Sequence, residues 1–195
     1  RERPLATGRV TPEEAVRLFV AVSLIAFGLL TSLKNPLTLA LALPAALLAA
    51  SYPFMKRWLA MPQAVLGVAF SWGIPMAYAA VQHRVPLLEA GLLMCANLCW
   101  VIAYDTYYAM VDREDDLKIG VRSSAILFGA HDRLAIGLLQ GSALLLLGVL
   151  GLLRELGPAW YAGLGIALLL TVYQLWITRH RQPAACLRAF LNNHY

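Results

Sequence analysis

The sequence predicts an all-α, polytopic membrane bundle, and three observations carry that prediction. Hydrophobic residues make up 60% of the chain and charged residues only 14%, against roughly 25% charged in a soluble domain. The apolar residues fall in six runs, most of them near the ~20 residues that a hydrocarbon core of about 30 Å requires. Between the runs stand short segments of Pro, Gly, Asn and basic residues, and no charged or Ser/Gly-rich linker divides the 195 residues into separate domains. A single membrane-embedded domain over 1–195 is expected.

The first run opens on Thr11-Pro12-Glu13-Glu14. This is a capping box with Pro at the first helical position and the Glu14 carboxylate placed to reach back to the Thr11 amide, and it introduces a span over 15–33. Asn35-Pro36 introduces 37–50, which is short for a bilayer and has an indistinct border with the 51–61 loop. Pro62 precedes 63–81 and Pro86 precedes 87–110, while Gly157-Pro158 separates 134–153 from 159–177. Pro44 and Pro75 lie inside spans and are expected to kink them. Gly137 and Gly141 form a Gly-x-x-x-Gly step suited to close helix packing. Residues 187–195 read as the entrance to a further helix. The three cysteines set no disulfide framework: Cys95, Cys99 and Cys186 are expected as small core residues.

Six crossings sort the loops onto two faces. The first holds 1–14, 51–61, 111–133 and 178–195; the second holds the turns near Lys34, Arg84 and Arg154. Every other Lys and Arg lies on or beside the first face, so the positive-inside rule places that face in the cytoplasm. The same distribution accounts for the net charge of +5 without nucleic acid, which is not expected as a partner.

Chemistry concentrates on that face. The run from Tyr104 to Gly120 holds five of the chain's eleven acids: Asp105, Asp112, Glu114, Asp115 and Asp116. A carboxylate at mid-bilayer costs about 2.5–3.5 kcal/mol even on a permissive scale, so acids gathered at a helix end call for water, cations or both. If the helix continues through the run, Asp112 and Asp116 both lie within about 20° of the Asp105 direction. Oxygen-only ligands favour hard cations, and Mg²⁺ commonly takes one or two carboxylates together with substrate phosphate oxygens. The competing reading is a solvated helix end in which Arg113 and Lys118 neutralise the acids. Tyr52-Pro53-Phe54-Met55-Lys56-Arg57 brings a phenol and two cations to the same face, where Lys and Arg can hold an anion through charge-assisted hydrogen bonds or serve only as interfacial anchors. Carboxylates and cations together suit a diphosphate. Phe70, Trp72 and Tyr78 line an apolar tunnel or simply pack helices. His83, His131, His180 and His194 lack ligand spacing and receive no role.

These residues resemble the UbiA-type intramembrane aromatic prenyltransferases, most closely those that prenylate 4-hydroxybenzoate in ubiquinone synthesis. The resemblance covers essentially the whole chain: Arg3-Pro4-Leu5 followed by 11–15, the Tyr52-x-x-x-Lys56 element, Gly73-Ile74-Pro75-Met76, and Tyr104-Asp105 through Ser123 to Gly129. It implies a bundle of nine helices with two aspartate-rich elements. Asp112 and Asp116 match the second element, and the first is absent from this sequence. The six spans then correspond to helices 3 to 8 of nine, and the chain is expected to be truncated at both ends, carrying half of the metal site and little activity by itself.

The implied reaction moves a polyprenyl group from polyprenyl diphosphate to the ring of 4-hydroxybenzoate, ortho to the hydroxyl, in a bacterial inner (plasma) membrane with membrane lipid around it. The implied roles are Mg²⁺ on Asp112 and Asp116, with Asp115 as a further ligand or a group behind them. The diphosphate would lie on Lys56, Arg57 and Tyr52, with Lys118 and Arg122 as weaker candidates and Asp105 behind the ligands. Another aromatic acceptor, dihydroxynaphthoate or homogentisate, is the alternative. A transporter or cation channel is the remote one, disfavoured because the spans are nearly free of charge and the polar clusters all face one side.

Overall fold

The computed structural model describes residues 4, 5, 7–55 and 58–194, and these fold into nine α-helices: α1 (Pro12–Ser32), α2 (Pro36–Met55), α3 (Pro62–Ser71), α4 (Gly73–Gln82), α5 (Leu87–Ile119), α6 (Ser124–Phe128), α7 (Asp132–Leu153), α8 (Pro158–Ile177) and α9 (Pro183–Leu191). Short 3₁₀ turns follow α6 and α9, and no strand occurs among the described residues. Among the described residues five stretches are long and apolar enough to cross a membrane: Pro12–Ser32, Pro62–Gln82, Leu87–Ile119, Ser124–Leu153 and Pro158–Ile177, while Pro36–Tyr52 is a shorter apolar helix. The chain is an integral membrane protein, and its spans fall where the hydropathy places them.

Local chemistry sets the ends of the helices. The Thr11 hydroxyl accepts the Glu14 amide at 3.2 Å while the Glu14 carboxylate accepts the Thr11 amide at 2.8 Å, which completes the capping box. Asn35 caps α2 through Oδ1, which accepts the Leu37 and Thr38 amides at 3.0 and 3.2 Å. Its Nδ2 donates to the Ala79 carbonyl at 2.6 Å and thereby ties the α1–α2 turn to the end of α4. Pro75 acts as expected, since it has no amide to offer the Ser71 carbonyl and the third span is divided at Trp72 into α3 and α4. Pro44 leaves α2 uninterrupted. The helix expected from residue 187 starts earlier, with Pro183 in its first turn behind an extended Gln182.

Helix α5 is the centre of the bundle, packing against α3, α7 and α9. Ala103, Tyr107, Ala109 and Met110 of α5 join Ala125, Ile136, Cys186 and Ala189 in one buried cluster. Small residues bring these helices close, as association inside a membrane requires. The tightest approaches are at Gly67, where a Cβ would sit 2.5 Å from Leu98 Cδ1, and at Gly151, where it would sit 2.7 Å from Trp160. Of the expected Gly-x-x-x-Gly step, Gly137 abuts Leu175 while Gly141 faces open space. The cysteines divide: Cys186 is buried, but Cys99 is only half-buried and Cys95 is exposed. The face of α5 that carries Cys95 looks outward, so an apolar helix position was not a core position here. Helix α1 has no buried residue at all.

The turns gather at two ends. At one, Asn35 meets His83 and Arg154 reaches Glu89 at 3.0 Å. At the other lie the loop leading into α3, the C-terminus of α5, α6, and the α8–α9 turn. The acidic run and the Tyr52 loop belong to this second group.

Candidate active site

Between Leu87 and Ile119 the sequence contains no proline and a single glycine, near the start, so nothing stops α5 for 33 residues. At 1.5 Å per residue it is about 50 Å long, well beyond what a core of about 30 Å requires. Gly120 ends it in the left-handed region at φ +69°, a conformation glycine adopts without steric cost. The Gly120 and Val121 amides both close on the Asp116 carbonyl.

The helical continuation decides how the acids sort. Asp105, Asp112 and Asp116 are half-buried along one face, whereas Glu114 and Asp115 are exposed. Lys118 pairs with Asp115 at 3.3 Å, both side chains being more than half exposed, so this contact is worth at most about 1 kcal/mol. Arg113 does not neutralise the run. It turns to the far side of α5, donating to the carbonyls of Ala125 and Gly129 and pairing with Asp132. Arg113, Glu114 and Asp115 line a cleft of about 310 Å³ against Arg181 and Pro183 of the α8–α9 turn. The two sides of the acidic helix thus differ: one is engaged with the α8–α9 turn, and the other carries Asp112 and Asp116.

The second half of the site approaches from α2 and α3. Tyr52, at the end of α2, lies within electrostatic reach of Asp105 and of Tyr104. Tyr104 and Tyr108 in turn pack against Phe190 of α9, at 5.8 and 5.1 Å between ring centroids. Lys56 and Arg57 lie outside the described residues, but the loop that carries them is fixed on its far side. Arg122 Nη1 donates to the Trp58 carbonyl at 3.2 Å, and the Gln63 side chain accepts the Ser124 amide at 3.1 Å. The expected anion loop and the acidic helix are therefore neighbours.

Carboxylate oxygens one helical turn apart, half-buried and facing one direction, match the hard-oxygen ligands that Mg²⁺ prefers, and one or two carboxylates suffice when substrate phosphate supplies the rest. Among the described residues, no group of three His, Cys, Asp or Glu side chains converges to hold a metal ion unaided. Asp112 and Asp116 are two carboxylates of that kind on one face of α5.

Sequence reasoning missed Asp132. It is fully buried, and both Arg113 and Arg181 converge on it, with Arg181 Nε at 3.0 and 3.1 Å from its two carboxylate oxygens. A lone acid at the mouth of an apolar span was the available signal. Gln63, Gln140 and Gln174 were also missed. The two latter amides meet at 2.8 Å between α7 and α8, and Gln174 passes the contact on to Asn192 at 2.9 Å.

The model of the UbiA prenyltransferase family matches residues 1–194. The chain belongs to this family. Relatives named 4-hydroxybenzoate octaprenyltransferase from Chromohalobacter salexigens and Azotobacter vinelandii are 56% and 55% identical over 195 residues, all of this chain and 65% of each relative. One of the same name from Aeromonas hydrophila is 55% identical over 193 residues, 99% of this chain and 67% of the relative. The chain thus spans about 65% of the length of the first two relatives. The apo structure of a UbiA homologue from Aeropyrum pernix superposes with a TM-score of 0.83 over 98% of this chain and 71% of its own. At 24% identity that likeness speaks for the UbiA fold.

Proposed function

We propose that the whole protein of which this chain is a part transfers a polyprenyl group from polyprenyl diphosphate to the ring of 4-hydroxybenzoate, ortho to the hydroxyl, as a step in ubiquinone synthesis. The observation that carries this reading is that half-buried Asp112 and Asp116 and the segment before α3 lie at one end of the bundle, where Trp58 is tied to Arg122 and Gln63 to Ser124 just beyond the end of α5. Similarity to the 4-hydroxybenzoate octaprenyltransferases supports the choice of acceptor. In this reading the site opens to the cytoplasmic side of a bacterial inner membrane, the side that basic loops favour.

Asp112 and Asp116 would hold Mg²⁺, and Lys56, Arg57 and Tyr52 would orient the diphosphate, with Lys118 and Arg122 at the margin. Asp115, facing the α8–α9 side, would act on the field of the site, and Asp105 would act on the Tyr52 hydroxyl. Bound there, the cation would stabilise negative charge on the leaving diphosphate. The allylic C–O bond breaks with its electron pair on the diphosphate, the electron-rich ring carbon forms the new C–C bond, and that carbon then loses its proton.

Membranes containing the complete protein, supplied with 4-hydroxybenzoate, a polyprenyl diphosphate and Mg²⁺, should yield the 3-prenylated acid, and exhaustive chelation should stop its formation. Undiminished turnover after chelation would overturn the metal assignment, and selective prenylation of dihydroxynaphthoate would overturn the acceptor. Residues 1–195 alone should turn over little.

A further inference from the structure

Three buried polar side chains link the two halves of the site. Gln63, at the start of α3, is 4% exposed and accepts the Ser124 amide through Oε1. Ser124 is fully buried, and its hydroxyl lies 2.7 Å from the Thr106 hydroxyl. Thr106, also fully buried, donates to the Ile102 carbonyl within α5 at 2.6 Å. The sequence neighbour of Thr106 is Asp105, which lies within electrostatic reach of Tyr52. Gln63 closes the loop that begins at Tyr52. A continuous hydrogen-bonded path therefore runs from the end of that loop, through the start of α6, to the helix that carries the acids.

The choice of side chains fits such a strut better than it fits packing alone. Apolar residues of similar size would fill these positions without requiring matched donors and acceptors, and in a buried site every unmatched group is costly. A chain of satisfied polar contacts fixes one register between elements, whereas apolar contacts slide. Arg122, two residues before Ser124, adds a second tie to the same loop at the Trp58 carbonyl.

We propose that Gln63, Ser124 and Thr106 are positioning residues which set the distance between the diphosphate-binding loop and the Asp112–Asp116 face. This rests on the prenyl-transfer reading. A diphosphate held by cations on one element and through a metal on another tolerates little change in their separation, while the acceptor ring does not depend on it in the same way. Loss of the strut should weaken diphosphate and metal together and spare the acceptor.

The test uses the complete protein in membranes, with Gln63→Leu and Thr106→Val as polar-to-apolar variants of similar size and Thr106→Ser as the variant that keeps the hydroxyl. Gln63→Leu and Thr106→Val should each raise the KM for polyprenyl diphosphate and the half-saturating Mg²⁺ concentration by about fivefold or more, the effect of one buried hydrogen bond. The KM for 4-hydroxybenzoate should stay within about twofold, and Thr106→Ser should restore parental values. A fall in kcat alone, or equal change for both substrates, would overturn the proposal, because a merely loosened fold loses active enzyme without choosing between ligands. A second readout needs no turnover. Nitroxide labels at positions 59 and 117 in a cysteine-free background report the spread of distances between loop and helix, which should be narrow in the parent and broad in Gln63→Leu. An unchanged spread overturns the strut whatever the activity. A broadened spread in a protein without prenyl transfer keeps the strut and removes the reaction assigned to it.

Discussion

Removing the Asp132 carboxylate should destabilise the end of the bundle that carries the acidic run. The side chain has no exposed area, and its partners Arg113 and Arg181 are 26% and 39% exposed. Breaking a fully buried ion pair costs about 3–5 kcal/mol, because the surviving charge is stranded. Here both arginines keep some water and hold carbonyls of Ala125 and Ala130 as well, so the expected cost of Asp132→Ala is about 2–4 kcal/mol. For a chain of this size each kcal/mol moves Tm by about 2–4 °C, giving a fall of roughly 5–15 °C. Asp132→Asn keeps one acceptor oxygen and should lose about half as much. The assay is thermal unfolding of the complete protein in a mild detergent. Arg113→Leu and Asp132→Leu, made singly and together, form a cycle in which the double change should cost clearly less than the sum of the two single changes. A melting point for Asp132→Ala within about 2 °C of the parent, or strict additivity in the cycle, would refute the claim that this buried charge locks α5 to α7 and the α8–α9 turn.

The acids should separate by face. If the proposed reaction holds, Asp112→Asn and Asp116→Asn should each lower turnover of the complete protein at least about a hundredfold, because each would remove a charge from the site proposed to hold Mg²⁺ against a diphosphate. Glu114→Gln, on the opposite exposed side, should stay within about threefold, and equal mild effects at all three would reduce the run to a solvated helix end. Single cysteines at Leu59, Ile119 and His131 should be labelled by an impermeant maleimide only from the cytoplasmic side, and Glu155 only from the other; external labelling of Leu59 would invert the topology. Cys186 should alkylate slowly at neutral pH. Burial first, and then the neighbouring Asp132 carboxylate, push its thiol above the ordinary range, so little thiolate exists until the pH is well alkaline. Rapid modification in the folded protein would show that α9 is not seated against α5.

The sequence by itself determined the class of the fold, the places of the spans and the helical face that Asp105, Asp112 and Asp116 share. Hydrophobic runs, capping residues and helical periodicity are local, and α1, α8 and the Asp105–Asp112–Asp116 face follow from them. The tertiary structure decided what each charge does, because side-chain partners depend on which helices meet. Arg113 and Lys118 look alike as neutralisers of an acidic run, yet only Lys118 pairs within it while Arg113 crosses to Asp132. Gly137 and Gly141 look alike as packing glycines, yet the close approaches occur at Gly67 and Gly151. Cys95 and Cys186 look alike as core cysteines, yet one faces outward and the other is buried where α9 packs on α5. In a bilayer both the lipid-facing and the buried sides of a helix are apolar, so composition alone cannot tell them apart. Contacts such as Gln63 with Ser124 join residues far apart in the chain, and no local pattern announces them.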